Sequence, residues 1–402
     1  MNARTRTTLL ATALVVGLSA VPAVAAPAPA TAAAAVGHTT PGLDTLALRA
    51  AIAGAGKPGA DATAALVRVG GAGGSWRGSA GVHDLASGAP ADPEGRFRAG
   101  SVTKVFTAAM VLQLAGEGRV DLNRPVRAYL PDLIPAAYAK VTVRQLLNHT
   151  SGIPSAGSPG GSLDDVYAHR FESRDPKDVV REATAQKPDF APGTEQHYDN
   201  IGYTVAGLLL ERVTGDSYAH QLATRIVRPL RLTNTCVPGA DPALRGPHNH
   251  GYQVFTAPDG STDLRDVTVW GAGDTFAAGD LISTTADLEH FTNALFTGRV
   301  VRGPQLKEMF TLPGRSVRDM ETGKAAAYSV GLSTIRLGGH DVWGKTGGRY
   351  GYNTAIGATL SPSGDVTRTL VYSVNSTDAK GEDMNPTAMK IMTAAFGAPD
   401  PA

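Results

Sequence analysis

Arg98-Ala99-Gly100-Ser101-Val102-Thr103-Lys104-Val105-Phe106-Thr107-Ala108-Ala109-Met110 is the stretch on which the reading of this chain turns. A glycine precedes the serine and an apolar, alanine-rich helical pattern follows it, which places Ser101 in the first turn of a helix. Lys104, three residues on, then lies one turn later on the same face. A serine hydroxyl is a poor nucleophile until a neighbouring base takes its proton. A lysine at this spacing can take it, or share it with a second base. The helix N-terminus adds positive potential where negative charge would develop. The same residues also fit an N-cap serine above a solvated lysine, so the rest of the chain has to decide.

Length and composition bound the answer. The chain has 402 residues, which suits one large domain or two lobes. Its formal net charge is +1, with acids and bases interleaved, and no nucleic-acid or polyanion partner is expected. Cys236 is the only cysteine, so no intrachain disulfide can form. It reads as part of a packed turn, and no basic cluster surrounds it to activate a thiol. Residues 1–25 read as a secretory signal: Arg4 and Arg6, the apolar run Leu9–Leu18, then Ala23-Val24-Ala25 as cleavage site. The apolar run is short for a membrane span. Residues 26–42 read as a flexible Pro/Ala-rich segment, 43–397 as one catalytic domain and 398–402 as a tail. A secreted monomer, with no membrane attachment after signal removal, is the expectation.

Along the chain, Leu43–Ala53 has helical spacing, and Ala65–Val69 and Trp76–Val82 read as an antiparallel hairpin around Gly70–Gly74. The Ser101 helix runs to about Gly116, and from there to about 240 the pattern is mainly helical with long loops. Val143–Leu147, Tyr203–Val213 (ended by Gly215) and Asp287–Phe296 read as helices. Strands return at Tyr328–Arg336, Asp341–Gly344, Tyr352–Leu360 and Thr369–Val374, and Met389–Phe396 closes as a helix. Strands at both ends with helices between them predict an α+β fold. Its central antiparallel sheet joins N- and C-terminal strands, with a helical lobe over about 100–265 inserted.

Two further elements turn the opening motif into a site. Tyr198-Asp199-Asn200 precedes the helix at Tyr203, with Tyr198 on a loop where its side chain can enter a cleft. Ammonium groups beside a phenol favour its anionic form, so Tyr198 could accept the Ser101 proton. Asn200 offers an amide donor and acceptor to a substrate amide. Lys345-Thr346-Gly347-Gly348 follows Trp343 on a strand. There Lys345 and Thr346 can bind a carboxylate, and Gly347 lets a substrate approach the backbone. The Gly348 N–H could join the Ser101 N–H in an oxyanion hole.

The S-x-x-K, Y-x-N and K-T-G patterns each occur once, in this order. The chain therefore resembles the penicillin-recognising serine hydrolases. Within them, the tyrosine in the middle element makes it similar to class C β-lactamases and secreted D-alanyl-D-alanine carboxypeptidases. Phe97-Arg98-Ala99-Gly100, Val143–Gly152, Pro192-Gly193-Thr194, Pro229–Leu232 and Leu281–Leu288 extend the resemblance over roughly 43–396. It implies a β-lactamase/transpeptidase-like fold and an acyl-enzyme on Ser101, with Tyr198 and Lys104 sharing its proton. It also implies a small peptide, β-lactam or ester as substrate, with no cofactor and no metal. D-alanyl-D-alanine carboxypeptidase activity is the expected function, with a β-lactamase, short-acyl esterase or D-amino-acid peptidase as alternatives on the same fold.

Two departures stand out. Asp199 occupies a position usually held by Ser or Ala, and it either opposes an anionic substrate or turns away. Lys345-Thr346-Gly347 replaces the His-Thr-Gly that such carboxypeptidases often carry. Other candidates are set aside. His149 ends a helix that is structural in the resembled family, and His248-Asn249-His250 has no third ligand at metal spacing. No G-x-S-x-G is present. Trp270 reads equally as cleft lining or core.

Overall fold

The structure, a computed structural model, describes residues 42–399 apart from 158, 159, 161, 258, 274 and 382. The expected signal peptide, the 26–42 segment up to residue 41 and the tail from residue 400 lie outside the described residues.

Six strands form one antiparallel sheet. They are β1 (Ala62–Gly71), β2 (Trp76–Gly81), β3 (Ser333–Leu337), β4 (His340–Arg349), β5 (Tyr352–Leu360) and β6 (Val366–Ser376). Their order is β2-β1-β6-β5-β4-β3, so N-terminal and C-terminal segments meet at the β1–β6 pair, as expected. Period-two alternation sorts the side chains onto two faces. Leu370, Tyr372 and Val374 of β6 pack under helices α1 (Thr45–Ile52) and α6 (Pro386–Phe396). Val371 of β6 and Ile356 and Ala358 of β5 face the helical side instead.

The helical side is built around α2 (Thr103–Gly116), buried on every face along most of its length. A helix buried all round sits at the centre of a large core rather than on its surface. Lys104 is on that helix and is 0% exposed. On α2 packs α4 (Ile201–Thr214), on α4 packs α3 (Val143–Leu147), and α5 (Thr285–Phe296) meets α2 through Phe291, stacked on Phe106 at 3.7 Å. Thr142 caps α3 through a capping box with Gln145. Gly215, in the left-handed region at φ 72°, ends α4.

Three expectations need correction. Tyr328–Arg336 is not one strand: β3 begins at Ser333. Gly331 turns the chain at φ 86°. The Gln196 side chain meanwhile takes the N–H groups of Ala327 and Tyr328 and donates to the Tyr328 carbonyl, so a side chain supplies the partners a sheet would have given. The lobe read as helical over about 100–265 contains a β-hairpin, Tyr252–Thr256 with Thr262–Asp266, turned near Gly260 at φ 83°. Finally, Cys236 is exposed rather than packed. Two short helices, Leu163–Ala168 and Pro176–Thr184, escaped the reading, although Asp175-Pro176 is a cap followed by a proline at the first helical position.

The edge of the sheet positions the site. The β3–β4 register runs from Leu337↔His340 to Ser333↔Gly344 and stops. Beyond it, β4 meets the 3-10 turn Gly100–Val102. The approach is close: a side chain on Gly347 would lie 2.1 Å from the Ala99 carbonyl oxygen, and one on Gly100 would lie 2.8 Å from the Gly348 nitrogen.

Candidate active site

Ser101 sits in the 3-10 turn that opens α2, half-buried, and Lys104 lies one turn on, as the spacing predicted. Two groups converge on its hydroxyl. The Tyr198 phenol donates to Ser101 Oγ at 2.6 Å, and Lys104 Nζ donates to it at 3.1 Å. Tyr198 comes from the segment before α4, and the packing of α4 on α2 helps bring it to Ser101 and Lys104.

Lys104 has two further partners, Asn200 Oδ1 at 2.6 Å and the Ala278 carbonyl at 2.9 Å. The left-handed Ala277, at φ 57°, precedes that carbonyl, and its own oxygen accepts from Thr107 on α2. Burial pushes the Lys104 ammonium down to about 7, against the opposing charges of Asp199 and Asp280. An uncharged amine has two N–H bonds and one lone pair. Asn200 Oδ1 and the Ala278 carbonyl can only accept, so they take both N–H bonds and the lone pair faces Ser101 Oγ. Above about 7, where the amine is uncharged, Lys104 is thus a proton acceptor aimed at the hydroxyl.

This burial has a consequence for stability. Folded Lys104 releases its proton near 7, whereas in the unfolded chain it holds it to about 10.4. Between those values the unfolded state binds more protons, so raising the pH favours the folded state. Below about 7 both states are protonated and the cost of the buried ammonium is fully present. Melting temperatures of the wild type and Lys104→Met should therefore diverge in favour of the wild type as pH rises from 7 to 10. A pH-independent difference would show that Lys104 is not the group titrating.

Lys345 is turned inward from β4, 5% exposed, with Nζ donating to the Thr346 carbonyl at 2.9 Å and lying 4.7 Å over the Tyr198 ring. Burial holds its ammonium below the ordinary lysine value, and the neighbouring Lys104 adds to the effect. Thr346 is exposed on the alternate side of the strand. Gly347 and Gly348 lie against the Ser101 turn. Gly347→Ala places a methyl group on backbone that cannot withdraw. It is expected to lower thermal stability and slow acylation of Ser101 at least about tenfold, since small displacements at a reacting group are costly. Unchanged labelling kinetics would contradict the close approach.

Asn200 is exposed and spends its amide oxygen on Lys104, so a substrate carbonyl would meet its NH2 group. Asp199 neither opposes the cleft nor pairs with a surface base. It is buried, accepts from the Gly202 N–H at 2.6 Å in the first turn of α4, and lies 3.6 Å from His149 Nδ1. Sequence reading missed the surroundings of Tyr198: His149 packs against it at 4.6 Å between ring centroids, and Tyr328 at 5.2 Å. The left-handed φ of His149 that creates this contact leaves no periodic signal in the sequence.

Trp270 is core, 3% exposed and stacked on Tyr350 at 4.3 Å. His248 and His250 are held by the Gly246 carbonyl and the Asp266 carboxylate. Among the described residues, no group of three or more His, Cys, Asp or Glu is arranged to hold a metal, and no helix is long and apolar enough to cross a membrane.

Comparison with known proteins gives a consistent picture. The sequence pattern of the family described as Beta-lactamase matches residues 47–391. A D-stereospecific amidohydrolase from Streptomyces sp. is 31% identical, with a TM-score of 0.74 over 88% of this chain and 98% of that one. The D-amino acid amidase from Ochrobactrum anthropi SV3, at 24% identity and a TM-score of 0.69 over 87% and 98% of the two chains, shares the fold. Protein flp of Staphylococcus aureus (strain COL) is 30% identical over 215 residues, 52% of this chain and 41% of that one. The chain thus spans about two fifths of the length of such curated relatives.

Proposed function

The chain belongs to the beta-lactamase family and is a serine hydrolase of that fold; from this we propose that it hydrolyses amide bonds on the carbonyl side of D-amino acids through an acyl-enzyme on Ser101. The observation that carries the proposal is the convergence of Tyr198 Oη and Lys104 Nζ on Ser101 Oγ, at 2.6 and 3.1 Å. The likeness to the D-stereospecific amidohydrolase supports the choice of carbonyl.

Ser101 Oγ attacks the carbonyl carbon, and its proton passes to the Lys104–Tyr198 pair. The Ser101 and Gly348 N–H groups stabilise the oxyanion. The pair then gives the proton to the departing nitrogen as the C–N bond breaks. Water adds to the acyl ester, again losing its proton to the pair, and the Ser101 oxygen leaves with that proton. The Asn200 amide group orients the acyl side.

A second reading, D-alanyl-D-alanine carboxypeptidase activity on peptidoglycan-type peptides, is favoured by Lys345, whose Nζ lies 4.7 Å over the Tyr198 ring beside Ser101 and would receive a terminal carboxylate. Turnover of a D-phenylalanine amide, a D-Ala-D-Ala tripeptide, nitrocefin and p-nitrophenyl acetate by one preparation separates the readings. Preference for the amide supports the first, preference for the tripeptide the second. Turnover of nitrocefin or the acetate alone overturns both.

The proposal includes export, supported by the basic, apolar and Ala-x-Ala sequence at 4–25, and a monomeric state. Mass determination of the N-terminus of protein recovered from culture medium, with sedimentation analysis, tests both parts.

A further inference from the structure

We infer that His149 is the positioning residue for Tyr198, an inference that rests on the acyl-enzyme reading of Ser101. Three contacts reach the tyrosine from this one residue. The His149 carbonyl accepts the N–H of His197 at 2.9 Å, immediately before Tyr198. Its Nδ1 accepts the N–H of Asp199 at 3.2 Å, immediately after it. Its ring packs against the Tyr198 ring at 4.6 Å between centroids. The chain on both sides of Tyr198, and the side chain itself, are thus tied to His149.

The backbone makes this possible. His149 follows the last turn of α3 in the left-handed region, at φ 60°, a conformation that ends the helix. There its carbonyl and its ring both meet the 197–199 segment. The ring is itself held on other sides, by Tyr203 at 5.4 Å and Tyr328 at 5.1 Å. Nδ1 can accept only while it carries no proton, so the ring is neutral with its proton on Nε2. Burial favours that state, as do the nearby ammonium groups of Lys104 and Lys345, while Asp199 opposes it.

The consequence is geometric. The 2.6 Å contact between Tyr198 and Ser101 Oγ depends on where a loop residue sits, and a loop has no ladder of its own to fix it. His149 supplies what a strand partner would supply elsewhere. It touches neither Ser101 nor a substrate in this role.

Two substitutions separate positioning from general support. Glycine accepts the left-handed backbone and keeps the carbonyl contact but removes ring and acceptor. Asparagine tolerates the same backbone and offers Oδ1 where Nδ1 was. His149→Gly should lower kcat at least about tenfold with KM within about threefold, and His149→Asn should recover most of that loss. Wild-type kcat in a folded His149→Gly, or equal losses in both variants, would overturn the inference.

A readout independent of turnover accompanies them. In protein carrying 13Cζ-labelled tyrosine, the Tyr198 resonance, assigned by its loss in Tyr198→Phe, should move in His149→Gly and return towards its place in His149→Asn. An unmoved resonance would equally overturn the inference. If turnover instead survives Ser101→Ala, the acyl-enzyme reading falls, and the resonance still decides whether His149 positions Tyr198.

Discussion

Replacing Ser101 with alanine is expected to lower amide and ester turnover by on the order of 10^4-fold or more, leaving a folded protein. Tyr198 Oη and Lys104 Nζ both donate to the hydroxyl, at 2.6 and 3.1 Å. Cys236, the chain's one thiol, lies elsewhere, with its backbone paired to Ile282. The fold should survive because Ser101 is half-buried in a short turn whose backbone contacts, to β4 on one side and α2 on the other, do not involve its side chain. Mass spectrometry after treatment with a fluorophosphonate or a fluorescent penicillin gives the complementary result: one adduct, on Ser101. An adduct on another residue, or a Ser101→Ala protein with appreciable activity, would remove the nucleophile from the mechanism.

Tyr198→Phe is expected to lower kcat by on the order of 10^2- to 10^4-fold, the range typical of losing a positioned acid–base group, with KM little changed. The substitution removes one oxygen and keeps the ring. The ring's packing on His149 and Tyr328, and its place under Lys345 Nζ at 4.7 Å, are therefore retained, and stability should stay close to that of the wild type. That separates proton transfer from packing, which Tyr198→Ala would confuse. Lys104 remains hydrogen-bonded to Ser101 in the variant and provides the residual rate. A kcat within about threefold of wild type would assign the proton to Lys104 alone and reduce Tyr198 to a wall of the site.

The two lysines fit one electrostatic scheme. Both are buried, both are held below the ordinary ammonium range by that burial, and both lie near the Tyr198 ring. Two cations so close would repel, and the loss of a proton from Lys104 near neutral pH relieves this. The Asp199 carboxylate contributes from behind: it raises the Lys104 value while holding the first turn of α4. A residue that looked in the sequence like a threat to an anionic substrate is therefore part of the foundation of the site.

What the sequence determined by itself was local or periodic. Turn signals on either side placed Tyr352–Leu360 as a strand, and Gly215 marked the end of α4, because both signals depend only on near neighbours. The S-x-x-K spacing put Ser101 and Lys104 on one helical face, and the order of three short motifs identified the family. Tertiary structure decided the rest. Sequence could not say that α2 runs through the centre of the core, and burial on every side is what converts Lys104 from a solvated cation into a base. Nor could it say where Asp199 points: its carboxylate accepts from the Gly202 N–H, while its own N–H is taken by the left-handed His149, fifty positions earlier. The motifs named the reacting groups. Packing of α4 on α2, and of the Ser101 turn on the free edge of β4, set their distances, and those distances determine whether a proton can move.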